Sequence, residues 1–259
     1  MDINNKNIVI TGAASGIGAA LLTRLLEHTG TKIVATDLNP IHHSPHPEQL
    51  FLHQGDIATE QGLDELFDFA QTTLGHIDLF IANAGFAYYE QTQQEDWQHV
   101  DRIYRCNTFS PIYSAHKMAR LNQNREYTVL MTASFMGLYS LPGYSLYSST
   151  KSALLSWADA YNMEREDQGH VLMLCPVATK THFFDTTAPV PWPTQSAEQV
   201  ADAAIKGIKA NMARIYPSKL SQLTLFLNWI LPLTMPIYRN IEKWKFKQWL
   251  SSARAKRES

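Results

Sequence analysis

Short runs rich in valine, isoleucine and leucine alternate along this chain with longer amphipathic segments. A parallel sheet produces this alternation, because its strands are buried on both faces and are joined by crossover helices. The pattern therefore predicts an α/β protein built on a doubly wound parallel sheet, with helices on both faces. We expect strands at Asn7–Thr11, Lys32–Thr36, Leu50–Gln54, Leu79–Ala82, Thr128–Thr132 and Val171–Cys175.

The size and composition of the chain favour one main domain followed by a helical extension. Its 259 residues are enough to bury a sizeable core without a disulfide or a metal ion. Apolar residues make up 45% of the chain and charged residues 18%, which excludes a disordered or disulfide-dense protein. We expect residues 1–217 to form the main domain and residues 218–259 to form the extension.

The N-terminus and the cysteines indicate the compartment. The first ten residues lack the basic region and the long apolar region of a secretory signal. Cys106 and Cys175 lack the CxxC spacing of zinc and redox motifs and suit a reducing compartment. We therefore expect a cytoplasmic protein without a metal site, and solvated histidines at His42, His43, His46 and His53.

Charge is distributed unevenly along the chain. No lysine or arginine lies between Ile33 and Asp101, whereas residues 102–259 carry nineteen of them against ten acids. Nucleic-acid-binding domains concentrate basic residues in a patch beside a recognition motif, and the sequence contains no recognisable motif of that kind. We expect no nucleic-acid partner.

A glycine-rich turn follows the first expected strand. Residues 11–18 read TGAASGIG, with Gly12, Gly16 and Gly18 at the point where strand becomes helix. Glycine permits a positive φ and lets backbone amides approach a pyrophosphate, whose charge the N-terminus of the helix stabilises. A tight turn without a ligand is the alternative. Asp37, nineteen residues after Gly18, favours a dinucleotide, because a carboxylate at the end of the second strand accepts hydrogen bonds from the adenosine ribose.

Asp37 also predicts which dinucleotide is preferred. A 2′-phosphate about 4 Å from this carboxylate would be repelled by roughly 4 kcal/mol per unit charge at an effective dielectric constant of about 20. That energy corresponds to a discrimination of about a thousandfold. No basic residue in the next loop offsets the repulsion, and Ser15, which is neutral, precedes Gly16. We predict NAD(H), with NADP(H) disfavoured.

A tyrosine and a lysine are placed four residues apart, at Tyr147 and Lys151. This spacing puts both side chains on one face of a helix. A neighbouring ammonium favours the phenolate and would lower the pKa of the tyrosine toward that of a general base. Ser134, at the end of the fifth expected strand, could hydrogen-bond the reacting oxygen. A solvated pair on a helix surface is the alternative, and the dinucleotide turn earlier in the chain argues against it.

Together these motifs resemble those of the short-chain dehydrogenase/reductase family in its single-domain form. The resemblance covers about residues 5–212. It implies a Rossmann-like fold and an NAD(P)-dependent enzyme that interconverts alcohols and ketones by hydride transfer. Besides the glycine turn and Asp37, the matching motifs are Gly55-Asp56, Asn83-Ala84-Gly85, Asn107, Ser134, Tyr147 with Lys151, and Pro176 with Thr181.

The resemblance also implies roles for the candidate catalytic residues. Tyr147 would be the general acid/base and Ser134 would orient the carbonyl group. Lys151 would modify the pKa of the tyrosine and anchor the ribose, and Asn107 would support a proton-relay water. In the cofactor site, Asp56 would contact adenine and Thr181 the carboxamide; the implied cofactor-binding residues are Gly12, Ser15, Gly16, Ile17, Gly18, Asp37, Asp56, Ile57, Asn83, Ala84, Gly85, Tyr147, Lys151, Pro176, Val177 and Thr181.

The chain departs from the family pattern at two places. Pro176 is followed by Val177 where the family usually has glycine, and a β-branched residue does not adopt a positive φ cheaply. We therefore expect a reshaped loop on the nicotinamide side. The active-site helix reads YSSTK at 147–151 where YxASK is commoner, which keeps small residues beside the cofactor. The preceding GYSLY at 143–147 lacks the last glycine of a hydrolase nucleophile motif.

Aromatic residues surround the candidate motifs and favour an apolar or amphipathic substrate, although ordinary core packing is an equal alternative. They are Phe86, Tyr88, Tyr89, Phe135, Tyr139, Tyr144, Phe183, Phe184 and Trp192. The last three belong to a segment that we expect to close over the site, with residues 186–195 as a loop and a helix at Ala197–Met212, opened by a capping box at Ser196 and Gln199.

The C-terminal extension has an apolar part and a basic part. Residues 220–238 carry no charge but contain Pro232 and Pro236, which makes a membrane-spanning helix doubtful. Residues 239–259 carry seven basic and two acidic residues, and Ile237, Ile241, Trp244 and Trp249 are expected on one helical face. A helix at an anionic membrane surface, an oligomer contact and a lid over the substrate entrance all remain open.

The leading hypothesis is an NAD-dependent oxidoreductase of an apolar secondary alcohol or ketone, assembled as a homo-oligomer as the family resemblance implies. The second enzymatic hypothesis is a lipid or acyl-chain ketoreductase at a membrane surface. A non-catalytic dinucleotide sensor or scaffold is the alternative from another class. The presence of Asn107, Ser134, Tyr147 and Lys151 counts against that last alternative.

Overall fold

Within residues 1–42, 48–92, 95–181, 183, 190–232 and 234–258, which this computed structural model describes, seven parallel strands form one sheet with helices on both faces. The strands are β1 (Asn7–Thr11), β2 (Lys32–Asp37), β3 (Leu50–Gln54), β4 (Leu79–Ala82), β5 (Tyr127–Thr132), β6 (Gly169–Leu174) and β9 (Arg214–Ile215), with a separate pair β7 (Ala178–Thr179) and β8 (Thr194–Gln195). The helices are α1 (Gly16–Leu26), α2 (Glu60–Leu74), α3 (Trp97–Tyr104), α4 (Ser110–Leu121), α5 (Ser145–Glu164), α6 (Ala197–Lys209), α7 (Lys219–Ile230) and α8 (Thr234–Glu258).

The strand order determines where a ligand can bind. The sheet runs β3-β2-β1-β4-β5-β6-β9, so the chain moves outward from β1 in one direction and then continues from β4 in the other. β1 and β4 are neighbours, with Ile8 paired to Leu79 and Ile10 to Ile81. In open parallel sheets a crevice forms at this reversal, outside the carboxyl ends of the strands. The loops after β1, β4 and β5 therefore surround the candidate site.

Two apolar layers cover the sheet. On one face, Phe67 of α2 stacks on Phe80 of β4 with 5.1 Å between ring centroids. On the other face, α1 and α6 pack against the strands, and Ile208 of α6 is fully buried there. Consecutive residues of β1 serve the two layers, since Val9 lies in the first and Ile10 in the second. The doubly wound fold predicted from the sequence is confirmed.

The boundaries differ from the predicted ones mainly at the end of the sheet. The six predicted strands are present and shifted by at most two residues. Helix α6 was expected to reach Met212 but ends at Lys209, and Asn211 follows in the left-handed region with φ 52°. This early end frees the chain for β9, which the prediction missed because only two residues pair there. The predicted loop at residues 186–195 contains β8, and its first four residues lie outside the described ones.

The C-terminal extension folds as two helices that return to the main domain. Pro232 lies between α7 and α8, and Pro236 lies in the first turn of α8, where a missing amide proton is tolerated. Asn228 Nδ2 donates to Tyr139 Oη at 3.1 Å, and Tyr238 Oη donates to the Trp192 carbonyl oxygen at 2.7 Å. These bonds hold both helices against the segments that follow β5 and β7.

One residue of the extension lies elsewhere than predicted. Trp249 was expected beside Ile237, Ile241 and Trp244 on one face of the last helix. It packs instead on Tyr89, with 4.7 Å between ring centroids, and on Phe246, because the helix turns this side toward the main domain.

Among the described helices, none alone is long and apolar enough to cross a membrane; α7 and residues 235–252 meet that criterion only as a pair bent by 120°.

Candidate active site

The glycine turn packs tightly against the loop that follows β4. Gly12 has φ 69°, and a Cβ atom on it would lie 2.7 Å from the Cα atom of Ala84. A Cβ atom on Gly18 would lie 1.9 Å from the Gly12 carbonyl oxygen. Side chains are therefore excluded at both positions, and the turn leaves its backbone exposed at the N-terminus of α1. This is the geometry in which backbone amides and a helix N-terminus can receive a pyrophosphate.

The Asp37 carboxylate closes one side of this turn. Its Oδ2 atom accepts a hydrogen bond from the Ala14 amide at 3.0 Å, and its Oδ1 atom accepts one from the Asn39 amide at 2.9 Å. Asp37 therefore caps the local backbone as well as lining the cleft. The expected position, at the end of β2 beside the glycine turn, is the position that the structure shows.

The Asn83 side chain ties together the ends of three strands. Its Nδ2 atom donates to the Gly12 carbonyl oxygen at 3.1 Å and to the Thr11 carbonyl oxygen at 3.2 Å. Its Oδ1 atom accepts a hydrogen bond from Thr132 Oγ1 at 3.2 Å. The loops after β1, β4 and β5 are thereby fixed relative to one another, and the cleft is shaped without a ligand having to order it.

These loops enclose a cleft of about 470 Å³. All the expected cofactor residues line it except Gly18, which packs behind the turn. Val177 is one of the residues that line it. Among the described residues other than glycine, only Asn5 and Asn211 have a positive φ, so Val177 adopts an ordinary backbone conformation. Gly55, part of the matching motif Gly55-Asp56, lines it as well. The lining residues that were not site candidates from the sequence are Leu38, Asn39, Ala58, Arg102, Cys106, Thr132, Ala133, Met136, Ala178 and Thr179.

Asn107 lies in an irregular turn between α3 and α4. Residues 105–109 form a π-helical turn, a feature that is rare and frequent at functional sites. The Asn107 amide donates to the Phe86 carbonyl oxygen at 2.8 Å and to Thr150 Oγ1 at 3.2 Å, and its Oδ1 atom accepts from the Phe86 amide at 3.1 Å. Asn107 is fully buried and does not line the cleft, so in this arrangement it holds the loop after Gly85 in place.

Ser134, Tyr147 and Lys151 meet at the carboxyl end of β5. Ser134 is extended, with φ −167°, and its side chain hydrogen-bonds that of Tyr147. Lys151 follows Tyr147 by one helical turn, and its Nζ atom lies 5.8 Å from the centroid of the Tyr147 ring. The ammonium donates to the Thr132 carbonyl oxygen at 2.7 Å. All three side chains are buried and line the cleft. Tyr147 and Lys151 both lie in α5, one helical turn apart, as their spacing predicts.

Burial has the largest effect on the pKa values of Tyr147 and Lys151. It raises the pKa of the Tyr147 phenol to about 12, against a smaller lowering by the hydrogen bond with Ser134. It lowers the pKa of the Lys151 ammonium to about 8. The spacing alone predicts that the ammonium lowers the pKa of the phenol, but the pKa is raised, because desolvation disfavours the charged form of each group. At neutral pH the phenol is protonated and the ammonium retains its charge.

The buried lysine predicts how stability depends on pH. Between pH 8 and about 10 the folded protein holds fewer protons at Lys151 than the unfolded chain does, so this group makes the free energy of unfolding rise with pH. Relative to Lys151→Met, we expect the wild type to gain about 1–2 kcal/mol between pH 7 and pH 9.5. Denaturant unfolding of the cofactor-free protein at several pH values measures this difference. Lys206→Met, at an exposed site on α6, should match the wild type, and an equal pH dependence in Lys151→Met would contradict the assignment.

A second, apolar pocket of about 220 Å³ adjoins the candidate catalytic residue Ser134. It shares Ser134, Met136, Val177 and Ala178 with the cofactor cleft, so the two spaces meet at the serine. Helices α7 and α8 supply part of its wall. The remaining lining residues are Phe135, Tyr139, Leu141, Pro191, Trp192, Pro193, Leu220, Ser221, Thr224, Met235 and Tyr238.

The aromatic candidates are divided between these spaces and the packing around them. Phe86 and Phe183 line the cofactor cleft, with the Phe183 ring 5.6 Å from that of Tyr147. Phe135, Tyr139 and Trp192 line the apolar pocket. The other described candidates pack elsewhere, and Phe184 lies outside the described residues; Tyr88 stacks on His99, Tyr89 contacts α8, and Tyr144 is buried beside Tyr147.

The remaining candidates take no part in this site. His53 Nδ1 is 3.0 Å from Thr36 Oγ1 and packs near Phe69, while His42 is exposed. His43 and His46 lie outside the described residues. Among the residues that the structure describes, no three histidine, cysteine or acidic side chains are grouped as metal ligands would be. Ser145 pairs with Thr92 at 3.0 Å at the start of α5.

Comparison with known proteins identifies the family. The model of the short chain dehydrogenase family matches residues 6–190, which is well over half of the chain. A diacetyl reductase of the (S)-acetoin-forming kind from Staphylococcus epidermidis is similar to the chain, with 25% identity over 191 residues that cover 70% of this chain and 74% of the relative.

Solved structures share the fold. A short-chain dehydrogenase/reductase from Burkholderia phymatum in complex with NAD superposes with a TM-score of 0.76 and 18% identity, over 88% of this chain and 94% of that one. A short-chain dehydrogenase from Burkholderia cenocepacia in complex with NADP gives 0.79 and 19%, over 91% and 97%. The match of the family model over residues 6–190, together with the glycine turn and the buried serine, tyrosine and lysine beside it, shows that this chain belongs to the short-chain dehydrogenase family of oxidoreductases.

Proposed function

We propose that this enzyme transfers a hydride between NAD(H) and an apolar secondary alcohol or ketone, with Tyr147 as general acid/base. The observation that carries the proposal is the position of Ser134, which hydrogen-bonds Tyr147 and lines both the cofactor cleft and the apolar pocket. A substrate oxygen at this junction would face the phenol and the serine hydroxyl, while the apolar part of the substrate would fill the pocket.

Tyr147, Ser134 and Lys151 each have a separate role in the proposed reaction. A bound nicotinamide supplies the hydride acceptor or donor. During reduction the Tyr147 hydroxyl gives its proton to the substrate oxygen, and during oxidation it takes the proton back. Ser134 orients that oxygen by a hydrogen bond. Lys151, held by the Thr132 carbonyl oxygen, keeps a positive charge beside the phenol below about pH 8 and so favours its anion when the proton leaves.

The protonation state suits the reductive direction. With a pKa of about 12, the Tyr147 phenol is protonated at neutral pH and can act at once as an acid toward a carbonyl oxygen. Oxidation requires the phenol to lose its proton first. We therefore propose that ketone reduction is the faster direction near pH 7 and that oxidation gains on it as the pH rises.

The preference for NAD(H) rests on charge at the end of β2. The Asp37 carboxylate lines the cleft beside the glycine turn, next to Leu38 and Asn39, which are neutral. A 2′-phosphate near Asp37 would meet a negative charge. Arg102 is a cation that also lines the cleft, but its guanidinium lies 5.8 Å from the Phe86 ring, after the turn at residues 83–85. We propose that Asp37 decides the choice of cofactor.

A panel assay tests the proposed reaction. Purified full-length protein is given NADH or NADPH with short and long apolar ketones, and NAD or NADP with the matching alcohols. We expect turnover with NADH on apolar ketones that exceeds turnover on small charged ones. NADH binding without turnover across the panel would overturn the enzymatic proposal and favour a dinucleotide sensor or scaffold.

Light scattering of the same sample measures whether the chain forms the proposed homo-oligomer.

The apolar pocket predicts a separation between long and short substrates. Thr224 of α7 lines the pocket, and a tryptophan there would fill space that a chain of several carbons needs. We expect Thr224→Trp to raise KM for long apolar ketones at least tenfold, because each methylene that loses its place in an apolar pocket is worth about 1–3 kcal/mol. The KM of a small ketone such as diacetyl, which does not need this space, should stay within about threefold of the wild-type value. Leu223→Trp, at the neighbouring exposed position outside the pocket, is the matched control. Equal loss for both substrates would place the substrate elsewhere.

A lipid or acyl-chain ketone is the second candidate substrate. Five residues of the pocket wall come from the extension, Leu220, Ser221 and Thr224 of α7 and Met235 and Tyr238 of α8. A long chain could therefore extend from Ser134 along the two helices. Activity that increases with acyl-chain length in the panel would favour this candidate over small ketones. Activity confined to small ketones would reject it.

A further inference from the structure

Helix α7 carries an apolar face that no other part of the described chain covers. Large side chains recur at intervals of three and four residues, which places them on one side of the helix. Leu220, Leu223, Phe226, Leu227 and Ile230 are between 38% and 58% exposed, and Trp229 beside them is 82% exposed. Soluble monomers rarely leave so large a contiguous apolar surface in water.

Helix α8, which follows α7 after a bend of 120°, carries further exposed apolar side chains and adds basic charge. Ile237, Ile241 and Trp244 follow one another at i, i+4 and i+7 and are 61%, 48% and 60% exposed. Arg239, Lys243 and Lys247 are exposed along the flank of the same helix. Within the part of the chain that the structure describes, none of these three cations forms an ion pair.

This combination fits a lipid surface better than a second copy of the chain. A twofold contact would bring the basic flank of each copy close to the same flank of the other, and like charges repel. An anionic bilayer complements the flank instead, with roughly 1 kcal/mol per lysine or arginine near the surface. Tryptophans are enriched at the boundary between headgroups and acyl chains, where an apolar ring also meets water. The lysine stems can reach past the apolar face to the headgroups.

The same helices form the wall of the apolar pocket with their other sides. Thr224 and Met235 line the pocket, and Leu220 lines it while remaining 38% exposed on the apolar face. Trp192, across the pocket, is 63% exposed. The pocket therefore reaches the surface at the edge of the apolar face. A bilayer in contact with this face would lie next to the pocket opening.

We propose that α7 and α8 dock this enzyme onto an anionic lipid bilayer, with the bent helix pair lying in the interface. The pocket then takes an apolar substrate directly from the acyl region, and this second step rests on the proposed function. The docking itself depends only on the exposed face and its basic flank.

Vesicle flotation of the full-length chain tests the docking. The vesicles are phosphatidylcholine alone, or phosphatidylcholine with about a third phosphatidylglycerol. We expect binding to the anionic vesicles at least tenfold tighter than to the neutral ones, and weaker as salt rises. Trp229→Ser together with Ile230→Ser should reduce binding at least tenfold, and Lys243→Gln together with Lys247→Gln should remove most of the preference for anionic lipid.

Two matched variants keep the test specific. Trp97→Ser removes a tryptophan that is 84% exposed on α3, and Lys206→Gln with Lys209→Gln removes two exposed charges on α6; both should bind as the wild type does. Absence of vesicle binding, or binding that survives Trp229→Ser with Ile230→Ser, would overturn the proposal. So would a soluble oligomer that this pair of substitutions dissociates, since the apolar face would then belong to a second copy.

Turnover of a water-soluble ketone with NADH, measured in the same samples, separates the two proposals. The docking variants lie outside the cleft and the pocket and should retain this turnover. Vesicle binding without any turnover would leave the docking intact and reject the proposed reaction. Turnover without vesicle binding would support the proposed reaction and reject the docking.

Discussion

Replacing Tyr147 by phenylalanine is expected to lower turnover with NADH at least 100-fold, within the range of general acid–base contributions. The substitution removes the phenolic oxygen that hydrogen-bonds Ser134 and leaves the ring, which packs against Phe183. Because the backbone of the glycine turn and Asp37 are untouched, NADH affinity should change little. Stopped-flow rates of NADH oxidation and a fluorescence titration of NADH measure the two quantities separately.

Tyr144→Phe is the matched control for that substitution. Tyr144 is equally buried and lies 6.3 Å from Tyr147 between ring centroids, but it does not line the cleft or the apolar pocket. We expect its replacement to change turnover by only a few-fold. Wild-type turnover in Tyr147→Phe would remove the phenol from the mechanism, and a large loss in Tyr144→Phe alone would shift the acid/base role to that residue.

Asp37→Asn is expected to raise the ratio of NADPH to NADH specificity by up to about a thousandfold, the full value of one repelled charge at close range. Asparagine keeps the shape of the side chain and one oxygen, so the hydrogen bond from the Ala14 amide can survive. The negative charge is lost, together with one acceptor, so the hydrogen bond from the Asn39 amide is given up. The values of kcat/KM for the two cofactors, measured at one ionic strength, give the ratio.

Two further variants show whether the effect belongs to Asp37. Asp56→Asn removes the other carboxylate of the cleft, and Arg102→Ala removes a cation that lines it. If Asp37 decides the preference, Asp56→Asn weakens both cofactors alike and Arg102→Ala leaves the ratio within a few-fold. A wild-type enzyme that prefers NADPH, with a preference abolished by Arg102→Ala, would reverse the assignment.

Much of the fold could be predicted because its signals are local. Runs such as residues 8–10 and 79–82 are apolar at every position, since both faces of the sheet are covered. The glycines of the turn are required where a Cβ atom would collide with Ala84 or Gly12. The spacing of Tyr147 and Lys151 places them one helical turn apart whatever surrounds the helix. These features depend on a few neighbouring residues.

What could not be predicted depends on tertiary contacts. Strand β9 consists of two residues that pair only because α6 ends early at Lys209. The π-helical turn around Asn107 has no recognisable sequence signal, although it decides where that side chain points. The pKa of Tyr147 follows from burial, which sequence spacing does not reveal. The apolar pocket exists only because α7 and the start of α8 fold back beside Ser134.

The proposed reaction requires Tyr147 to exchange a proton while a nicotinamide bound at the glycine turn exchanges a hydride. The most direct measurement uses NADH deuterated at C4, in both stereochemical forms, with an apolar ketone and mass spectrometry of the product. We expect one form to label the carbinol carbon, and we expect Tyr147→Phe, which should still bind NADH, to form labelled product at least 100-fold more slowly. A product without deuterium from either form, or equal labelling rates for the two proteins, would contradict it.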